Sequence, residues 1–173
     1  MTENFTLELE AKMSTRRADL DQIDRKILNR LQRDSRITNA DLATEVGTSP
    51  ASCLRRVRRL RETGYIEREI ALVNPDKVGS RLVTITEARL NSLDRRGRDE
   101  AIRLIKNIPE VIILYNVTGS RDLLFVSVFT DMADFERTIA EPLSIVPQIH
   151  SINSYFAIKT IKFEPHIHFD ETR

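Results

Sequence analysis

SPASCLRRVRRLRETG, residues 49–64, is the stretch on which the fold turns. Ser49 offers a hydroxyl to the free N–H groups of a starting helix, and Pro50 sits where a missing N–H costs nothing. Gly64 stands where helices commonly end in left-handed backbone. On a helical wheel Cys53, Val57 and Leu60 share one side, with Leu54 at its margin. Ser52, Arg55 and Arg59 lie opposite, flanked by Ala51 and Arg58. Five arginines fall between Arg55 and Arg61, with no acid among them. A merely solvated helix face usually intersperses acids for pairs four residues apart. This one has none before Glu62, which favours a polyanionic partner.

Working back from Ser49, two more helices are expected. Leu20, Ile23, Ile27, Leu28 and Leu31 recur at helical spacing, and Asp21 and Asp24 occupy the first turn, where the helix dipole favours negative charge. Asp34-Ser35 breaks that pattern. Asn39 is expected to cap a second helix whose apolar side is Leu42, Ala43 and Val46, and Gly47-Thr48 supplies the turn into Ser49. Three helices with a basic last member form the arrangement that seats the start of that last helix in the DNA major groove. The arginine fork suits guanine edges and phosphates. The expected DNA contacts are Ser49, Pro50, Ala51, Ser52, Arg55, Arg56 and Arg59.

Forward of Gly64 the period changes. Ile66, Arg68, Ile70 and Leu72 predict a short strand pair or an extended wing, closed by Asn74-Pro75. NPDKVGS, residues 74–80, has linker composition. Beyond it the elements alternate: a strand over Leu82–Leu90, a helix over Arg95–Ile105, and strands over Val111–Thr118 and Leu123–Thr130 around the turn Gly119-Ser120-Arg121-Asp122. A helix capped by Asp131 follows, carrying Met132, Phe135, Ile139 and Leu143, and a last strand spans about Ile149–Phe163. The order β-α-β-β-α-β is the ferredoxin-like plan. The fold class is therefore α+β, with an extension at 1–18, a winged helix-turn-helix domain at 19–73, a linker at 74–80, a ferredoxin-like domain at 81–163 and a tail at 164–173.

Composition narrows the function. Of 173 residues 40% are hydrophobic and 31% charged, with net charge +1, so a local basic cluster matters more than the average. A single cysteine, Cys53, excludes an internal disulfide framework and fits a reducing compartment. No apolar run reaches the roughly 20 residues a membrane span needs, and the acidic N-terminus lacks a signal-peptide core. A cytoplasmic location without membrane attachment is expected. No dinucleotide fingerprint, phosphate loop or serine elbow occurs, and no nucleophile–base pair suggests itself, so no catalytic residues are assigned. RNA recognition on the second half would require stacking aromatics with a basic-glycine-aromatic signature, which DLLFVSVF lacks. A free-standing metabolite sensor would leave residues 20–63 without a role. His166 and His168 supply only two ligands, so no metal is assigned and no cofactor is expected.

LDQIDRKILNRLQRDSRITNADLATEVGTSPASCLRRVRRLRETGYIE (20–67) resembles the winged helix-turn-helix of the Lrp/AsnC (feast/famine) family of prokaryotic regulators. The likeness continues through ALVNP and across VTGSRDLLFVSVFTDMADFERTIAEPLSIVPQIHSINSYFAIKTIKF, spanning about residues 19–163 in register. The resemblance implies a transcriptional regulator of amino-acid metabolism that binds double-stranded DNA. It also implies homodimers or octamers built by the second domain, and a small amino-acid effector held near subunit contacts. The effector positions it implies are Asn116, Gly119, Ser120 and Asp122, with Met132, Tyr155, Phe156 and Ala157. Two departures stand out. Ala51, Ser52 and Arg55 differ from common family choices on the basic helix, and Ser120 stands where an acid usually follows the glycine.

Overall fold

Asp21 starts the first helix by a reciprocal cap. Its carboxylate accepts from the Asp24 N–H at 2.9 Å, and the Asp24 carboxylate accepts from the Asp21 N–H at 3.3 Å. The helix α1 (Gln22–Leu31) then buries Ile27 and Leu28. In this computed structural model residues 20–74, 77–79, 82–91 and 95–171 are described, so the 1–18 extension and parts of the linker lie outside the described residues.

The second helix, α2 (Asn39–Val46), begins one residue earlier than expected. Thr38 is its cap, with extended backbone and an Oγ1 that accepts from the Asp41 N–H at 3.2 Å. Asn39 is instead the first helical residue, and its side chain donates to the Pro50 carbonyl at 2.8 Å, tying α2 to the start of α3 (Pro50–Glu62). Gly47 ends α2 at φ 75°, a left-handed conformation that lets the Thr48 N–H return to the Ala43 carbonyl at 2.9 Å. The three helices close on Ile27, Leu42, Val46, Cys53, Val57 and Leu60. Burial pushes the Cys53 thiol up, away from reactive thiolate chemistry. The stretch after Gly64 bends at Tyr65-Ile66 and carries no strand ladder, so the expected strand pair is not formed; Arg61 holds it through an ion pair with Glu69 at 2.6 Å.

The chain forms two compact units. One runs to Ala71 and takes in the segment from Glu164 onward; the other is Leu72–Phe163. The second unit contains β1 (Leu82–Leu90), α4 (Arg95–Lys106), β2 (Val111–Asn116) and β3 (Leu123–Phe129). A helical run from 132 to 144 and β4 (Ile149–Phe156) complete it. All strand pairs are antiparallel in the order β2-β3-β1-β4, which is the ferredoxin-like sheet. One sheet face buries Leu123, Phe125 and Phe129 against Ile105 and Ile139 from the helices. The helical run contains a π-helical turn at Glu136–Ala140, just before Pro142, whose ring nitrogen has no N–H to return to the preceding turn.

The last strand is shorter than expected. It ends at Phe156 rather than about Phe163. Phe156 pairs with Thr84 and the Ala157 N–H reaches Val83 at 2.9 Å, after which the start of β1 is used up and 157–163 has no ladder to join.

Candidate nucleic-acid interface and ligand loop

The cap and core of α3 decide which of its side chains face outward. Ser49 accepts from the Ser52 N–H at 3.3 Å, and Pro50 takes the first turn. Cys53, Val57 and Leu60 are buried, which turns Ala51, Leu54, Arg55 and Arg58 to solvent while Ser52 is half-buried. Arg55 and Arg58 form no ion pair among the described residues. An acid-free cationic strip therefore lies beside the helix start, where exposed N–H groups also favour anions.

The other two expected arginines are engaged by carboxylates of α1, Arg56 half-buried and Arg59 still exposed. Arg56 donates to Asp21 at 2.6 Å and to Asp24 at 2.9 Å, and Arg59 pairs with the second Asp24 oxygen. Asp24 is only 1% exposed, so this carboxylate is a buried anchor between α1 and α3. Hydrogen bonding to Asp21 raises the Arg56 pKa further against the desolvation that opposes it. Burial alone would raise the Asp21 carboxyl, but the Asp24 N–H and the Arg56 guanidinium outweigh it and hold it below the ordinary 3.8. Sequence reasoning read Asp24 as a dipole partner and left Arg58 at the flank. The 32-residue separation of Asp24 and Arg56 has no signature in a linear pattern.

The second set of residues lies on the other unit. Asn116 ends β2, and Gly119 adopts φ 122°, which only glycine takes without strain. The turn is closed by the Val117 N–H donating to the Asp122 carbonyl at 2.9 Å. The Asp122 carboxylate is already engaged. It accepts from the Leu90 N–H at 2.9 Å and from Arg98 at 3.3 Å. Arg98 also lies 3.5 Å from the Asn116 side-chain oxygen, and Arg121 is drawn to Glu87 at 2.9 Å. Ser120 contributes its carbonyl to Arg121 at 3.1 Å.

Met132 follows the Asp131 cap and is half-exposed. Tyr155 is also half-exposed, whereas the Phe156 ring meets Phe135 edge-on at 5.1 Å. Ala157 is held by its N–H to Val83. Within one chain the expected ligand residues thus form two groups. Asn116 is on the β2 edge, whereas Tyr155 and Phe156 are on the opposite β4 edge. Three strand spacings of ~4.8 Å separate those edges by roughly 14 Å.

Comparison with known proteins bears on the two domains as wholes. A family model described as winged helix-turn-helix DNA-binding matches residues 20–67, and one described as the Lrp/AsnC ligand binding domain matches residues 84–167. The leucine-responsive regulatory proteins of Escherichia coli and Salmonella typhimurium are 34% identical over 148 residues, covering 83% of this chain and 88% of theirs. A transcriptional regulator from Neisseria meningitidis, solved as a complex with L-Met, is similar in structure. It has TM-score 0.80 and 30% identity, over 86% of this chain and 96% of that one. An AsnC family transcriptional regulator from Agrobacterium tumefaciens gives TM-score 0.79 and 32% identity, over 85% and 95%. The chain belongs to the Lrp/AsnC family of transcriptional regulators, with a winged helix-turn-helix DNA-binding domain followed by a ligand-binding domain.

Proposed function

We propose that α3 reads double-stranded DNA through Ala51, Ser52, Leu54, Arg55 and Arg58, with Ser49 and Pro50 setting the helix start against the backbone. Arg56 and Arg59 brace this surface from Asp24 and contribute charge at its edge. The observation that carries the reading is the outward Arg55 and Arg58, without an ion pair among the described residues, on a helix whose opposite side is locked into the core. Guanidiniums left without carboxylate partners lose nothing by exchanging water for phosphate or guanine. Two copies of the chain place two such helices on successive major grooves of a near-palindromic operator, and larger assemblies, octamers included, bridge or wrap DNA.

We also infer a small amino-acid effector, whose binding regulates genes of amino-acid metabolism in the cytoplasm. The support is the ligand-binding domain, relatives named leucine-responsive, and the similar structure holding L-Met. The tight turn at Gly119 offers main-chain N–H groups to a carboxylate. Asn116, Gly119, Ser120 and Asp122 form one corner of that site. Met132, Tyr155, Phe156 and Ala157 form another, supplied across a subunit contact by a second copy. The effector shifts assembly only by its unequal affinity for the two states. The chain acts as a regulator rather than an enzyme, with no metal or cofactor of its own. Among the described residues no helix is long and apolar enough to cross a membrane.

The test is the double variant Arg55→Ala/Arg58→Ala. Operator affinity at fixed salt is expected to fall tenfold or more, and the salt slope to flatten by about 2, since each lost phosphate contact removes roughly 0.9. Unchanged affinity in a folded variant would falsify the recognition-helix assignment. For the effector, a thermal-shift screen against the twenty amino acids is expected to give at least one stabilising ligand; a flat response across the set removes that part of the reading.

A further inference from the structure

The outer side of α1 carries amide side chains that meet the main chain of the C-terminal segment. Gln32 donates from Nε2 to the Ile167 carbonyl at 2.9 Å, and its Oε1 accepts from the Ile167 N–H at 2.7 Å. Asn29 repeats the arrangement on Phe169, donating to the carbonyl at 2.8 Å and accepting from the N–H at 3.0 Å. A side-chain amide presents a donor and an acceptor side by side, so each of these residues is paired as it would be by a neighbouring strand. Residues two apart on an extended chain turn their N–H and C=O groups to the same edge. Ile167 and Phe169 satisfy that spacing.

The pairing continues at Glu171. Its carbonyl accepts from Gln22 at 2.8 Å, and its carboxylate accepts from Asn29 at 2.8 Å. Lengths agree: the ten steps from Gln22 to Gln32 rise roughly 15 Å along a helix, and the four steps from Ile167 to Glu171 span roughly 13 Å of extended chain. Asn29 is buried and the segment satisfies its polar atoms, while the Phe169 ring packs against the apolar core of the DNA-binding unit. Only six residues separate Ala157, at the end of the ligand-domain sheet, from Glu164, where the chain rejoins the DNA-binding unit.

We propose that the outer side of α1 is a docking site for an extended peptide, that its occupant is this chain's own segment Ile167–Glu171, and that docking straps the DNA-binding unit to the end of the last ligand-domain strand. The site reads main chain at alternate residues through Asn29 and Gln32 and takes one aromatic anchor, Phe169. A head held at two points along the chain samples fewer orientations than one on a single linker. The strap therefore narrows the range of half-site spacings that two heads accept on DNA, a consequence that rests on the DNA reading above.

Hydrogen exchange on the full chain tests the docking. The Ile167 and Phe169 amides are expected to exchange roughly tenfold or more slowly than that of His168 between them. Asn29→Ala/Gln32→Ala is expected to abolish the difference while the α1 amides stay protected. Equal rates at all three positions in the unaltered chain overturn the proposal. For the strap, the double variant is expected to keep its affinity for a single half-site but lose the preference for one half-site spacing. An unchanged spacing preference, with protection at 167 and 169 gone, refutes the strap. An unaltered chain that binds no DNA sinks the strap together with the DNA reading, and the exchange pattern still decides the docking by itself.

Discussion

The two surfaces of this regulator are built on different principles. The surface proposed to face DNA is complete within one chain: a single helix caps itself, buries one side and leaves Arg55 and Arg58 outward. The ligand-domain positions are divided between opposite edges of one sheet, and their most obvious charged member, Asp122, is already satisfied by Leu90 and Arg98. A surface carried by one amphipathic helix needs only that helix to be correctly packed. A surface assembled from two sheet edges needs something outside the chain to bring them together. On the proposed reading, the first is a property of the monomer and the second of the assembly.

The sharpest way to break that contrast is to damage the second unit alone. Phe125 is fully buried on the central sheet, and Phe125→Ala is expected to cost about 4 kcal/mol there. Calorimetry should show that unit's transition falling, while half-site DNA binding survives; joint loss of both would mean that the helix surface is not self-sufficient. Next in size is Asp24→Ala, which removes a buried acceptor shared by Arg56, Arg59 and the start of α1. Because both guanidiniums keep access to water, the expected cost is about 2 kcal/mol rather than that of a stranded buried charge. Chemical denaturation measures it, and a loss under 0.5 kcal/mol would remove Asp24 as the anchor.

Asp122→Asn addresses the other surface. It weakens the acceptance from the Leu90 N–H and the pairing with Arg98, for an expected loss of about 1 kcal/mol. If Asp122 acts mainly within its own chain, amino-acid binding should persist in the variant; complete loss of binding in a folded protein would place the carboxylate on the ligand. The smallest effect concerns pH. The folded-state pKa of Asp21 lies below its ordinary 3.8, so its pairing stabilises the protein above that value and the contribution fades as pH falls through the lowered one. Asp21→Asn is thus expected to cost under about 1 kcal/mol at pH 7 and progressively less as pH falls below 3.8, read from denaturation midpoints across that range.

Sequence pattern conveyed what local chemistry determines. The cap at Ser49, the turn at Gly47 and the buried stripe of α3 follow from residues within a few positions of one another, and each is found where expected. The four strands of the second unit were legible because β-branched runs alternate with turn residues. The misses have physical causes. Thr38 and Asn39 are both good caps, and the choice between them depends on Asn39 reaching Pro50, eleven residues on. The end of β4 depends on where β1 begins, about seventy residues away. The ion pairs that Arg56 and Arg59 make depend on an aspartate in another helix, which a linear pattern does not report. Alternating His, Ile and Phe at 166–169 gave no sign of a docked segment, because its partners are side-chain amides of a helix, which no strand pattern reports.

The return of the C-terminal segment to α1 makes the DNA-binding unit discontinuous along the chain. A cut anywhere between Asn74 and Gly79 yields two fragments, yet the second still carries Ile167–Glu171, the piece that covers Asn29 and Gln32 on the first. Cleavage of the connecting segment is then not equivalent to release. A fragment ending before residue 80 is a head with Asn29 uncovered and Phe169 missing from its core, so an isolated DNA-binding domain of this regulator is complete only when Ile167–Glu171 is returned to it.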